Sequence, residues 1–182
     1  VKHGGTVGNI EEPKKDGFVF DGWYSDKELT KPYKAEDEIT ASMMLYASWK
    51  VDPARQLTLT IGKNEAQVFG ETKTNDVAPK IVNDRTMLPA RFVAESLGAE
   101  VSWDEEKQLV TVNGKNIKTD ETVIILVYIG ELNAFVNGET VALDAPAFLE
   151  NDRTYTPIRF ISEHLGASIE WIEAEQKVVI TK

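Results

Sequence analysis

Apolar and polar positions along the chain follow one rhythm twice. Leu57 to Ile61 alternates and is rich in Thr and apolar residues, as is Thr122 to Ile129, so both segments are expected to open a sheet as strands. A hairpin partner follows each. In the second stretch Asn137-Gly138 separates Ala134-Phe135-Val136 from Thr140-Val141-Ala142-Leu143, and this dipeptide tolerates the positive φ angles of a type I′ turn. Phe69-Gly70 stands at the same place in the first stretch, where it is a poorer turn pair. Asn83-Asp84 and Asn151-Asp152 mark the next turns.

Pro89 and Pro157 suit a first helical position, where a missing N–H costs nothing, and Gly98 and Gly166 suit the left-handed position just past a helix end. A helix of about nine or ten residues is expected between each pair. Phe92, Val93 and Leu97, like Phe160, Ile161 and Leu165, would lie on its sheet-facing side. Glu100 to Trp103 with Leu109 to Val112, and Ser168 to Trp171 with Val178 to Thr181, then read as closing strand pairs, and Asn113-Gly114 as a hairpin turn leading to the next unit.

These parallels form one gapless duplication. Asn83-Asp84-Arg85-Thr86 recurs as Asn151-Asp152-Arg153-Thr154 at an offset of 68. At that offset Ile61-Gly62 matches Ile129-Gly130, Gly70-Glu71-Thr72 matches Gly138-Glu139-Thr140, and Asp76 matches Asp144. Pro89, Arg91, Phe92, Glu95, Leu97-Gly98-Ala99 and Trp103 match Pro157, Arg159, Phe160, Glu163, Leu165-Gly166-Ala167 and Trp171. Roughly two in five positions are identical over about fifty, too many for chance. The expected fold is α+β: a pseudo-symmetric module of two ββαββ units with mostly antiparallel sheet, over residues 57–114 and 122–182.

Residues 1–50 have another texture. Gly17-Phe-Val-Phe-Asp-Gly-Trp-Tyr24 and Met44-Leu-Tyr-Ala-Ser-Trp49 read as short aromatic strands, and residues 51–56 as a linker. Fifty residues rarely sustain a core alone.

The chain has 182 residues, 42% of them hydrophobic, and a formal net charge of -10. That charge argues against nucleic acid and anionic membranes, which need clustered Lys and Arg. No run approaches the ~18 apolar residues of a membrane span, so no membrane insertion is expected. The start at Val1-Lys2-His3 reads as the end of an excised fragment. Cysteine is absent, which excludes disulfides and thiol chemistry and is compatible with export.

Residues 1–50 resemble the Listeria and Bacteroides surface repeat of the internalin B-repeat type, through Gly17 to Tyr24, Ile39-Thr40 and Leu45 to Trp49. The resemblance implies a small β-grasp-like fold in secreted or surface proteins, with an opening strand that would precede Val1. The edge so left could recruit another chain. Residues 57–182 resemble the N-terminal domain family of copper amine oxidases, through Asn-Asp-Arg-Thr-x-x-Pro-x-Arg-Phe-x-x-Glu-x-Leu-Gly-Ala and the Trp that follows in each copy. In the oxidases this region is a dispensable stalk away from the catalytic core, so the resemblance implies no oxidase activity here.

An amine oxidase needs three histidine copper ligands and a tyrosine-derived quinone, and this chain has only His3 and His164. No serine has a plausible histidine base. No catalysis, metal or cofactor is therefore expected. The acidic runs Glu36-Asp37-Glu38 and Asp104-Glu105-Glu106 lack the spacing of a calcium loop and read as solvated turns.

The candidate ligand-binding residues are Arg85, Arg91, Arg153, Arg159, Trp103 and Trp171, since guanidinium groups read carboxylates or anionic sugars in a bidentate fashion and indole faces pack on pyranose rings. A shared fold explains them as well. Arg91 with Glu95 and Arg159 with Glu163 are four apart on a helix, and Arg85 and Arg153 can tie a turn to nearby carbonyls. Trp23 and Trp49 invite the same stacking on sugar rings, and the strand-end positions of all four tryptophans fit core packing as well. Phe148, Leu132, Phe135 and Tyr155 replace Lys80, Asn64, Gln67 and Met87, so the second copy is expected to pack against the first or expose an apolar patch. The expectation is a non-catalytic structural or interaction module of a secreted or cell-surface bacterial protein. The alternative is a module for cell-wall or host glycan; adhesion to another surface protein through residues 1–50 is a third reading.

Overall fold

The computed structural model describes residues 4–6, 8 and 10–182, and the chain divides into two units, Val1–Asp52 and Pro53–Lys182. The first holds β1 (Gly5–Thr6), β2 (Phe18–Tyr24), β3 (Glu38–Ile39) and β4 (Tyr46–Val51). β1 pairs with β3 and β2 with β4, both antiparallel, with a bulge between Phe20 and Gly22. Trp23 and Trp49 both meet the Phe20 ring edge-on, at 5.3 and 5.9 Å between centroids. Both indoles are half-buried, and among the described residues of this unit none is fully buried.

The second unit begins with a 3₁₀ turn at Pro53–Arg55, so the stretch 51–56 is shared out between β4, this turn and the next strand. The first copy contributes β5 (Gln56–Thr60), β6 (Glu65–Val68), β7 (Glu71–Thr74), β8 (Lys80–Val82), β9 (Arg85–Pro89), α1 (Ala90–Ser96), β10 (Glu100–Asp104) and β11 (Leu109–Lys115). The second contributes β12 (Thr122–Tyr128), β13 (Asn133–Val136), β14 (Glu139–Ala142), β15 (Phe148–Glu150), β16 (Arg153–Pro157), α2 (Ile158–His164), β17 (Ser168–Ile172) and β18 (Lys177–Thr181). The unit is β-rich, with antiparallel strand pairs and two short helices. Five strands precede each helix, which differs from the expected ββαββ order. Strands β8 and β15 are three residues long, too short for a periodicity to declare, and hang on turns whose Asn83, Asp84, Asn151 and Asp152 all take positive φ.

The copies exchange strands. One five-stranded sheet runs β10-β11-β12-β13-β14 and the other β17-β18-β5-β6-β7. Each sheet thus joins the last two strands of one copy to the first three of the other. A four-stranded sheet, β15-β16-β9-β8, links them, and in it Leu88 faces Thr156. These are equivalent positions of the duplication, so the pseudo-twofold axis passes through this pair.

Alternation explains the inward faces. Leu57, Leu59, Val123, Ile125 and Val127 are buried while their neighbours along the strand are more exposed, and they meet Val93, Ala94, Ile161 and Leu165 from the helices. Each helix is seven residues long, shorter than expected at both ends. Pro89 and Pro157 are the last strand residues and the N-caps, with ψ of 118° and 115°, because β9 and β16 run straight into the helices. Gly98 and Gly166 take φ of 89° and 86° just past the helix ends, as expected.

Two glycine readings separate. Phe69-Gly70 forms the same two-residue hairpin as Asn137-Gly138, with φ of 53° and 89°. The cost of a left-handed phenylalanine is offset by its ring, which packs on the core and lies under the Lys182 ammonium at 3.6 Å. Asn113-Gly114, by contrast, is no turn. Both residues sit inside β11 and pair with Ile124 and Val123 of β12. A Cβ on Gly114 would lie 2.6 Å from the Ala99 Cβ, so this glycine permits a close approach. The reversal comes at Asn116–Glu121, where the Asn116 carboxamide oxygen accepts from the Lys118 and Thr119 N–H groups.

Candidate functional site

Strand exchange gathers the six candidate residues into two clefts. In one, of about 540 Å³, Arg85 comes from the start of β9, just past the β8–β9 turn of the first copy, while Arg159 and Trp171 come from α2 and β17 of the second. In the other, of about 520 Å³, Arg153 comes from the start of β16, just past the β15–β16 turn of the second copy, while Arg91 and Trp103 come from α1 and β10 of the first. Asp144 lines the first cleft and its equivalent Asp76 the second. Neither cleft belongs to one copy. Each needs the turn of one and the helix and closing strand of the other.

Every guanidinium is engaged. Arg153 donates from Nε and Nη2 to Asp76 Oδ2 at 3.1 and 2.6 Å and from Nη1 to the Asp152 carbonyl at 3.2 Å. Arg85 makes the matching bond to the Asp84 carbonyl at 3.2 Å, and its Nε stands 3.7 Å from Asp144. The turn-to-carbonyl ties expected from sequence are therefore present, as are the helical pairs Arg91–Glu95 and Arg159–Glu163, both at 3.4 Å. The Asp partners escaped the sequence reading. Their only signal was their presence at the repeat offset, and the pairing depends on strand exchange, which no local pattern announces.

The two indoles are half-buried, packed on the core and lining their clefts. Trp171 donates its N–H to Glu173. Trp103 makes no such bond among the described residues. Exposed acids flank the arginines: Asp84, Asp144, Glu170 and Glu173 in the first cleft and Asp76, Glu105 and Asp152 in the second. In the loop of that second set, Lys107 bonds Asp104 at 2.7 Å and pulls its carboxyl below the usual value of 3.8.

His164 is turned to structure. Its Nδ1 lies 2.7 Å from the Phe160 carbonyl and its ring 4.5 Å from the Phe160 ring. His3 lies outside the described residues. Among those that are described, no three His, Asp or Glu side chains converge as metal ligands would. The residues that set the second copy apart divide in two. Phe148 and Tyr155 stack at 5.2 Å and pack with Met87 of the first copy, under the Lys80 ammonium, whereas Leu132 is exposed and Phe135 meets Tyr128 edge-on at 6.3 Å at the surface.

A duplicated, strand-exchanged β-rich domain with two matching clefts is the class these features define. Residues 47–112 and 112–180 each match the copper amine oxidase N-terminal domain, and the chain belongs to that family. In the oxidases that domain is a non-catalytic part. Residues 1–48 match the Listeria-Bacteroides repeat domain. The chain is also similar to a "Putative membrane protein" of Evansella cellulosilytica, 27% identical over 118 residues, 62% of this chain and 17% of that protein. A "Putative Gly-rich membrane protein" of the same organism is 45% identical over 47 residues, 24% of this chain and 5% of that protein. This chain thus spans a small part of the length of these relatives. Among the described residues no helix is long and apolar enough to cross a membrane.

Proposed function

We propose that the chain is a non-catalytic interaction module of a bacterial cell-surface protein, and that its ligand surfaces are the two equivalent clefts. The observation that carries this reading is the assembly of Arg85, Arg159 and Trp171, and of Arg153, Arg91 and Trp103, into matching sites built across the two copies. A fold that needed these residues only for packing would not require half-exposed arginines beside an indole face in open clefts. The surface location draws support from the repeat domain at residues 1–48 and from relatives named as membrane proteins. Carbohydrate of the cell wall or of a host is the ligand class that indole faces beside paired donors and acceptors suit.

The test is shift mapping of the ¹⁵N-labelled chain against solubilised cell-wall fragments and a glycan panel. Shifts of the Trp103 or Trp171 indole N–H signals are expected. If no glycan moves either indole, the clefts are scaffold. A second reading, a plain structural spacer, is favoured by the ion pairs, two within helices and two between the copies, that engage all four arginines. It predicts that changing Arg153 alters stability and no binding.

A further inference from the structure

The clefts share one plan and nearly one volume, yet their chemistry has diverged. Resting on the reading that these clefts bind ligand, we propose that the Trp103 cleft takes a neutral, uncharged sugar unit and that the Trp171 cleft does not. Charge excludes the other classes first. Arg153 is held by Asp76 and Arg91 by Glu95, and Glu105 and Asp152 add further negative charge, on a chain of net charge -10. A sulfated or carboxylated sugar would have to displace those carboxylates and then face the remainder. A cationic peptide would bring its charge against two guanidinium groups that stay in the cleft.

A hydroxyl meets neither obstacle, since it both donates and accepts. Arg153 spends its bonds on one oxygen of Asp76 and on one carbonyl, so the Asp76 Oδ1 and remaining guanidinium N–H groups stand side by side as acceptor and donors. Vicinal hydroxyls present the complementary pair. Trp103 packs on the core and lines the cleft, so it is the aromatic surface on which the C–H face of the ring would stack, and its indole N–H is unspent among the described residues.

The other cleft keeps free donors and acceptors on Arg85 and Asp144, 3.7 Å apart, but differs beside its indole. Glu170 stands where Ser102 does, and Glu173 already takes the Trp171 indole N–H. An approaching sugar would desolvate an added carboxylate and find its donor occupied. Size is not the reason, because the volumes are about 540 and 520 Å³.

The experiment is NMR titration of the full chain with neutral hexasaccharides of glucose, xylose and N-acetylglucosamine, with heparin and an oligolysine peptide as charged probes. The indole signals are assigned from Trp103→Phe and Trp171→Phe. A neutral hexasaccharide is expected to shift the Trp103 indole. Trp103→Ala should weaken that binding by about tenfold or more, and Trp171→Ala by less than about twofold, as the loss of one stacking face at one site implies. Ser102→Glu, a change at an exposed strand position, should abolish the shift, and Glu170→Ser should bring a response at Trp171. Binding of heparin or oligolysine at Trp103 in place of every neutral sugar overturns the ligand class and leaves cleft binding standing. Equal responses at both indoles overturn the divergence. If no probe moves either indole, cleft binding itself fails along with the inference.

Discussion

Arg153 grips Asp76 with two nitrogens on one carboxylate oxygen, at 3.1 and 2.6 Å, whereas its equivalent Arg85 reaches Asp144 only at 3.7 Å. Both pairs bridge the two copies, yet they differ in directness. Each partner is exposed, with 43% and 68% of the Arg153 and Asp76 side chains accessible, so solvent screens the attraction. Asp76→Ala is therefore expected to cost no more than about 1 kcal/mol, and Asp144→Ala less. Urea denaturation of the two variants checks the order. A loss of several kcal/mol at either would mean that these pairs hold the exchange together.

Thr156 lies on the pseudo-twofold axis, 1% exposed, and its hydroxyl has no hydrogen-bond partner among the described residues. The facing equivalent is Leu88, so the axis already accommodates an apolar side chain. Thr156→Val keeps the shape and removes the unpaired hydroxyl. It should raise stability by about 1 kcal/mol. A lower melting temperature for this variant would show that the hydroxyl has a partner after all.

Much of this architecture was legible because the duplication repeats its punctuation. Gly98 and Gly166, Asn137-Gly138 and the helical Arg–Glu pairs declare themselves through local rules. What stayed hidden is relational. Asn113-Gly114 and Asn137-Gly138 are the same dipeptide, but the first pairs along β11 with Ile124 and Val123, and its glycine leaves the space that Ala99 and Leu165 approach from elsewhere in the fold. Strand order likewise follows from which copy's edge meets which, and a pairing such as Thr181 with Gln56 joins the two ends of the module. The candidate arginines and tryptophans were visible one by one. Their grouping in threes was not, since each group draws on both copies.

Gly114 offers a direct test of that close approach. In Gly114→Ala the new methyl would meet the Ala99 Cβ at 2.6 Å and the Leu165 Cδ2 at 3.2 Å. Its φ is not positive, so conformational strain is not the issue. Overpacking should cost about 1–3 kcal/mol, read as a lower denaturation midpoint. A neutral result would show that β11 can shift outwards freely.

In the first unit, the Asp26 carboxylate accepts from the Thr30 hydroxyl and from the Thr30 and Lys31 backbone N–H groups. These bonds, that of the Thr30 side chain foremost, favour the charged form and lower its pKa from 3.8. Since the folded value is the lower one, this group's contribution is complete above 3.8 and is lost as pH falls through the folded value. The Thr30 and Lys31 amide signals should therefore titrate with a midpoint below 3.8, and Asp26→Asn should abolish that titration. A midpoint above 3.8 would contradict the bonded turn.

Strand exchange makes the strongest demand. A chain cut to residues 53–121 holds β5 to β11 but neither of the strands that β5 and β11 require, β18 and β12. Alone, it would leave both sheet edges open and the inner faces of Leu57, Leu59, Val110 and Val112 short of their cover. Two copies of it could close the deficit, because β5 of one can take the place of β12 beside β11 of the other. Pro89 and Met87 would then pair across a true twofold axis at Leu88, where the natural module has Leu88 facing Thr156. The expected result is a dimer or an unfolded chain, separated by light scattering after size exclusion and by circular dichroism. A folded monomer would show that one copy completes its own sheet, and with it that the clefts could form without the second.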